Sequence, residues 1–300
     1  MNKIRKHITP NLLDIDSHFD ELDAFYPNIQ TRKGAYAALL WKLGTYTSDT
    51  AKDVRLAVQK KFDELKKECN KQTISQELTP SQLALYMPYP DLLALAAKAN
   101  SAVDWEKETY TDNLLYYTII ALYVYQPPVR ADYWDMEIIE YYPENDYKHL
   151  TSLDDKVLQR IDSDTKYAQE DRKNKNSCYI TPTDTYFVFN NYKTAKTYGQ
   201  VIVKAEFIIH NLLRHIHFNL KKWEVLPIKT PNSLVKYVKL AFESVGGKPT
   251  TIGLLRHAYI VEFYKKNPTI VQKDMLARKM LHSRSIQECY RSENVTEDDI

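Results

Sequence analysis

Apolar residues recur three and four positions apart through much of the chain, the spacing of helices that pack by one face. Gly34–Leu43 and Thr50–Cys69 carry this pattern near the start, and in the second stretch Val54, Ala57, Val58, Phe62 and Leu65 share a face while lysines and acids fill the others. The polar run Asn70–Gln82 reads as a linker ending in a Thr79-Pro80 helix start. Beyond it the patterns alternate. Pro90–Ala99 and Asp112–Tyr125 predict helices; Leu114–Tyr125 is apolar on all sides, as in a buried helix, and falls short of the roughly 18 uninterrupted apolar residues of a membrane span. Met136–Tyr142 predicts a strand and Lys156–Asn176 a loop or exposed helix. Cys178–Asn190, with its TYFVFN, and Gln200–Val203 predict strands around a turn at Lys196–Gly199. Helices return at Ala205–Phe218, Ser233–Val245, Ile252–Lys265, Val271–Leu281 and Ser285–Tyr290, with no internal repeat. The pattern is that of a mainly α protein with a small β-sheet (α+β), a small helical domain over 1–75 preceding a larger one over 76–300.

Composition narrows the class. With 44% hydrophobic residues, 27% charged, 6 Gly and 13 Pro in 300 residues, the chain can bury a core and is neither fibrous nor disordered. The basic start MNKIRKHITP runs into acidic rather than apolar sequence, so a secretory leader is not expected. Cys69, Cys178 and Cys289 are odd in number and lack metal-ligand spacing, which predicts an intracellular, reducing compartment, no structural disulfide and no bound metal. The net charge of +2 hides a polarity. Residues 1–75 hold 13 Lys and Arg against 10 Asp and Glu, residues 76–192 hold 10 against 19, and residues 193–300 hold 18 against 10. Such basic ends suit a polyanion, since cationic side chains that neutralise phosphates release counterions, although a solvated lysine face reads the same way.

Several residues could carry chemistry, and each has a plainer reading beside it. Arg130 follows the apolar helix at QPPVR, where two prolines fix the backbone and hold an arginine at a break; a surface arginine fits equally. Lys193 and Lys196 lie near the tip of the proposed hairpin, placed to reach a nucleic-acid groove or to be ordinary turn lysines. Arg256 and His257 sit on a helix whose apolar neighbours belong in a core, and a buried arginine needs an anionic or well hydrogen-bonded partner. The same LLRH tetrapeptide occurs at Leu212–His215, flanked by His210 and His217, which opens a metal-binding alternative without a supporting acid or cysteine. His282 and Tyr290 lie in MLHSRSIQECYR near the end of the chain.

Taken together, the order arginine, hairpin lysine, arginine-histidine, histidine and late tyrosine resembles the tyrosine recombinases, the phage-integrase superfamily. LLYYTIIALYVYQPPVR, NNYKTAKTYGQ, TIGLLRHAYI and MLHSRSIQECYR are similar to its first arginine box, hairpin lysine, second arginine box and nucleophile box, and the paired prolines resemble members from large DNA viruses, virophages and mobile elements. The resemblance spans nearly the whole chain and implies a helical core-binding domain over 1–75 and a DNA breaking-rejoining domain over 76–300. It implies catalysis by Arg130, Lys193, Arg256, His282 and Tyr290, support from His257 and Asp132, and DNA contact by Lys196. It also implies double-stranded DNA as partner, a homotetramer on two DNA sites, a 3′-phosphotyrosyl intermediate, no ATP or other cofactor, and no membrane. Spacing prefers Arg256 to Arg214, which lies 76 residues before Tyr290. Two positions depart from the family pattern: Gly253 stands where a histidine is common, and Tyr133 where an acid is common, with Asp132 and Asp135 nearby. A type IB topoisomerase, an inactive DNA-binding regulator of the same fold and a helical scaffold without nucleic-acid function remain alternatives.

Overall fold

A computed structural model describes residues 2–75, 78–142, 152–167 and 174–290. The chain divides into two compact units, 1–77 and 78–300.

The first unit is helical: α1 (Asn2–His7), a 3-10 segment at Leu12–His18, α2 (Phe19–Phe25), α3 (Ile29–Leu43) and α4 (Asp49–Ser75). Asn28 starts α3 by accepting from the Gln30 and Thr31 amides, satisfying donors that a helix start leaves open. Ile15, Leu22, Tyr36, Leu39, Val54 and Val58 form its core, and the Tyr36 hydroxyl donates to Asp23 at 2.9 Å. The proposed linker begins later than its polarity suggests, because α4 runs on through Ser75. Lysines and glutamine are good helix formers, so a polar run can prolong a helix that is already nucleated.

The second unit opens with α5 (Pro80–Leu85), capped by a reciprocal Thr79–Gln82 pair, then α6 (Tyr89–Ser101) and α7 (Asp112–Val124). Helix α7 is buried almost all round, which is why its sequence shows no polar face. A four-stranded sheet follows in the order β1 (Glu137–Glu140), β2 (Ser177–Ile180), β3 (Thr185–Phe189), β4 (Val201–Lys204); β1 and β2 are parallel and the other pairs antiparallel. The strand expected over Cys178–Asn190 is in fact two. Thr181 and Asp184 close a turn between them, the Thr181 hydroxyl donating to the Asp184 carbonyl and accepting its amide, and Pro182 cannot donate to a ladder. Helix α8 (Leu153–Tyr167) covers one sheet face with Val157 and Ile161 against Tyr179, Tyr186 and Val188. Of the loop or exposed helix expected at Lys156–Asn176, the first part is a helix packed on the sheet rather than exposed; residues 168–173 lie outside the described part. The other face, with Ile138, Cys178, Phe187 and Phe189, joins the main core, so the central strand β3 is buried on both sides.

The β3–β4 connection holds one short helical turn, α9 (Ala195–Tyr198), stopped by Gly199 at φ 66°. Helix α10 (Phe207–Arg214) then widens into a π turn at His215–Asn219, so helical backbone covers nearly the whole of the expected Ala205–Phe218. Helices α11 (Pro231–Ser244), α12 (Ile252–Lys265), α13 (Ile270–Lys279) and α14 (Arg284–Cys289) complete the unit. No helix among the described residues is long and apolar enough to cross a membrane.

Candidate active site

Helix α12 carries Arg256 into the interior, where only 2% of it remains exposed. A buried guanidinium must spend its donors inside the protein. One terminal nitrogen donates to the Pro128 carbonyl at 3.0 Å and the Met280 carbonyl at 3.1 Å, and the other to His282 Nδ1 at 2.9 Å. Three of its five N–H groups are thereby used. Arg256 thus joins the diproline loop that bears Arg130 to the turn that bears His282. Burial, helped by Arg130, holds the Arg256 guanidinium below its usual value, against Tyr290, whose hydroxyl lies within hydrogen-bonding reach of it, and Asp132.

Arg130 is set by the end of α7. Its carbonyl accepts from the Tyr123 hydroxyl at 2.6 Å, and its guanidinium, half-buried, has no hydrogen bond or ion pair among the described residues. Asp132 feels the charge of both arginines; burial raises its carboxyl to about 6 against the pull of both cations. Tyr133, at the position where the family pattern has an acid, is a core residue whose hydroxyl accepts from Gln126 at 2.5 Å.

His282 follows a tight helix end. At the close of α13 the His282 amide bonds the Ala277 carbonyl and the Leu281 amide the Arg278 carbonyl, leaving Leu281 left-handed at φ 57°. Glycine usually takes that position, but Leu281 is only 2% exposed. Relief of the left-handed penalty is worth about 1–2 kcal/mol, while emptying a buried leucine costs about 2–5 kcal/mol. Leu281→Gly is therefore expected to lower the denaturant midpoint, a net loss of about 1–3 kcal/mol; a raised midpoint would show that backbone strain dominates at this turn.

Arg256 can only donate, so His282 Nδ1 accepts, and a neutral ring then carries its proton on Nε2. The Gln287 amide lies beside the ring, yet neither it nor His282 Nε2 completes a well-formed hydrogen bond among the described residues. Burial, then Arg256 and Arg130, push the His282 imidazole down to about 3. Burial alone pushes His257 down to about 4. The rings of His257 and His282 flank Tyr290, with centroids 6.0 and 6.1 Å from its own.

These shifts set a pH dependence. Each histidine has its folded value below the unfolded one, so its stabilising effect is complete above the ordinary imidazole value and is lost as pH falls from there toward about 3 and 4. Asp132 acts in the opposite sense, since its raised value lets the folded state bind a proton near pH 6 before the unfolded state does. Between about pH 6 and 4 the unfolded chain holds two extra histidine protons and the folded chain one carboxyl proton, a net slope of about 1.4 kcal/mol per pH unit. Asp132→Asn is expected to steepen this acid loss about two-fold, read from denaturant midpoints across pH. An unchanged slope would mean that Asp132 is ionised throughout.

Lys193 and Lys196 are exposed on the β3–β4 connection, and Lys193 has no hydrogen bond or ion pair among the described residues. The neighbouring Thr194 hydroxyl donates to the Leu281 carbonyl at 3.2 Å, fastening this connection to the His282 turn. A third fastener escaped the sequence reading. Buried Asn176 donates to the Asp132 and Asn191 carbonyls, both at 3.0 Å, and accepts the Asn190 and Asn191 amides. Asn176, Thr194 and Arg256 thus close a ring through the Arg130 loop, the hairpin and the His282 turn. An asparagine in a polar stretch carries no signal that would have singled it out.

The rival tetrapeptide lies elsewhere. Arg214 is exposed, donates to the Pro182 carbonyl at 2.8 Å and stacks over Phe218. His210 pairs with Thr185 and His217 with Glu140 and the Lys222 carbonyl, so each histidine has a separate local partner. No group of three His, Cys, Asp or Glu could hold a metal among the described residues. Gly253 is exposed, and a Cβ there would meet only the Thr251 hydroxyl, at 3.7 Å.

The second unit therefore gathers Arg130, Arg256, His282, Asp132, His257 and Tyr290, with Lys193 borne on a segment fastened to the same turn. Comparison with protein-family models, curated proteins and solved structures finds no match.

Proposed function

We propose that this protein is a site-specific tyrosine recombinase or integrase that cleaves and rejoins double-stranded DNA through a 3′-phosphotyrosyl intermediate. The observation that carries this reading is the packing of Arg256 and His282 around Tyr290, with Arg130 acting on both by charge.

Attack on a phosphodiester concentrates negative charge on the nonbridging oxygens, and preorganised donors in a site shielded from water stabilise that charge most. Arg130 brings an uncommitted guanidinium. Arg256 brings the N–H groups not spent on the two carbonyls and His282, which also face the Tyr290 hydroxyl, fewer than a free arginine would, because the others hold the loops in place. His282 brings Nε2–H while neutral, so it donates without adding a third full charge. The Tyr290 oxygen bonds to phosphorus, the bond to the departing 5′ oxygen breaks, and Lys193 supplies that oxygen with a proton. The covalent link retains the energy of the phosphodiester, so a 5′ hydroxyl reverses the step without ATP. The helical unit 1–77 would serve as core-binding domain, and pairing of two sites would call for a tetramer.

The test is incubation of the full chain with nicked suicide duplexes, followed by mass spectrometry of the attached peptide. A covalent adduct on Tyr290 supports the reading; an adduct on another residue, or none, defeats it. Gly253 favours a second reading, a DNA-binding regulator without cleavage, since no side chain there could help remove the tyrosine proton. Salt-sensitive binding without any adduct is its signature.

A further inference from the structure

Beside the gathered residues a cleft of about 450 Å³ opens between the β3–β4 connection and the α13–α14 turn. Tyr192, Tyr198 and Val201 line one side, and Arg278, Leu281 and His282 the other. His282 is thus a wall of both the cleft and the candidate active site. The volume is that of a small-ligand pocket, and its lining mixes apolar surface with a few polar groups.

The two remaining arginine and tyrosine pairs differ in how far they are committed. Arg284 is held by Asp274 at 3.2 Å, whereas exposed Arg278 has no hydrogen bond or ion pair among the described residues. Tyr192 is buried, its hydroxyl donating to the Gly199 carbonyl at 2.7 Å, whereas Tyr198 is 45% exposed on the turn that follows Lys193. An uncommitted guanidinium and an exposed aromatic ring across an apolar floor match the three parts of a nucleotide: phosphate, base and sugar.

We propose that this cleft holds the nucleotide adjoining the scissile phosphate, its base against Tyr198 and its phosphate on Arg278. The proposal deepens the reading of DNA as the substrate and rests on it. A base seated there leaves the duplex stack, so the cost of unstacking favours mismatched or flexible steps next to the cut. Tyr198 and Arg278 would then shape the choice of site without taking part in the chemistry.

The experiment uses the full chain and short single-stranded oligonucleotides carrying 2-aminopurine, whose emission falls on stacking, with adduct formation on nicked duplexes measured in parallel. Binding is expected to quench the probe. Tyr198→Ala should abolish the quenching and weaken binding about ten-fold, and Arg278→Gln should weaken binding about ten-fold with quenching retained at saturation. Both residues are exposed, so thermal unfolding should stay unchanged. Wild-type quenching that persists in Tyr198→Ala, or unaltered affinity in both variants, overturns the proposal. Loss of quenching in Tyr198→Ala together with no wild-type adduct upholds the cleft as a nucleotide site and overturns strand cleavage instead.

Discussion

Arg256→Lys is expected to destabilise the protein by about 2–4 kcal/mol and to slow adduct formation by about 10³-fold. Lysine keeps the charge but has one nitrogen where arginine has three in a planar fork, so it cannot reach the Pro128 and Met280 carbonyls and His282 together. Each buried acceptor left without its donor costs about 1–3 kcal/mol. The activity loss is larger because two effects coincide: the diproline loop drifts, moving Arg130, and the His282 tautomer is no longer fixed. Arg214→Lys is the matched control, since the same tetrapeptide there bears an exposed arginine whose replacement should cost less than about 0.5 kcal/mol. Denaturant unfolding and single-turnover adduct assays measure both. Equal effects at the two sites would remove Arg256 from the centre of the proposal.

Tyr290→Phe is expected to abolish the covalent adduct while leaving the fold and DNA affinity intact. The ring contacts to His257 and His282 survive the change, and the ring packs beside Met280 and Leu276 as a partly buried neighbour. The one loss is the phenol oxygen beside Arg256, and solvent can replace it at a half-exposed position. Stability should therefore move by less than about 0.5 kcal/mol. Adduct formation should fall below detection, because no other group replaces a nucleophile held at the phosphate. The comparison with Tyr264→Phe, a tyrosine of the same cluster, is informative. Adduct loss in Tyr264→Phe with retention in Tyr290→Phe would reassign the nucleophile.

Periodicity made α12, α7 and the strand pair β3 and β4 legible, because each is governed by which residues face a core. Ile252–Lys265 has the same limits in the pattern and in the fold. Local hydrogen bonds were harder to read. The Thr181–Asp184 turn split one apparent strand into two, and α4 outran its apolar stripe. The site residues were legible only as an order along the chain. LLRH at 212–215 and at 254–257 is the same word, yet one arginine is solvent-facing and the other has 2% exposure. What separates them is the carbonyls of Pro128 and Met280, far away in sequence. Spacing to Tyr290 picked the buried copy, but nothing in the sequence said that two of its five donors would be spent on backbone. The charge interaction of Asp132 with both arginines was hidden for the same reason, as was Asn176.

Apart from the bond from Arg256 to the His282 imidazole, the hydrogen bonds that Asn176, Thr194 and Arg256 donate within the ring end on main-chain carbonyls: Asp132 and Asn191, Leu281, Pro128 and Met280. A carbonyl is the one acceptor that every residue type provides. Apart from His282, the frame is thus indifferent to which side chains decorate the segments it grips, and outward-facing positions on those segments can be exchanged without shifting the frame itself. A scaffold of that kind lends itself to retargeting, with new surface chemistry mounted on unaltered supports.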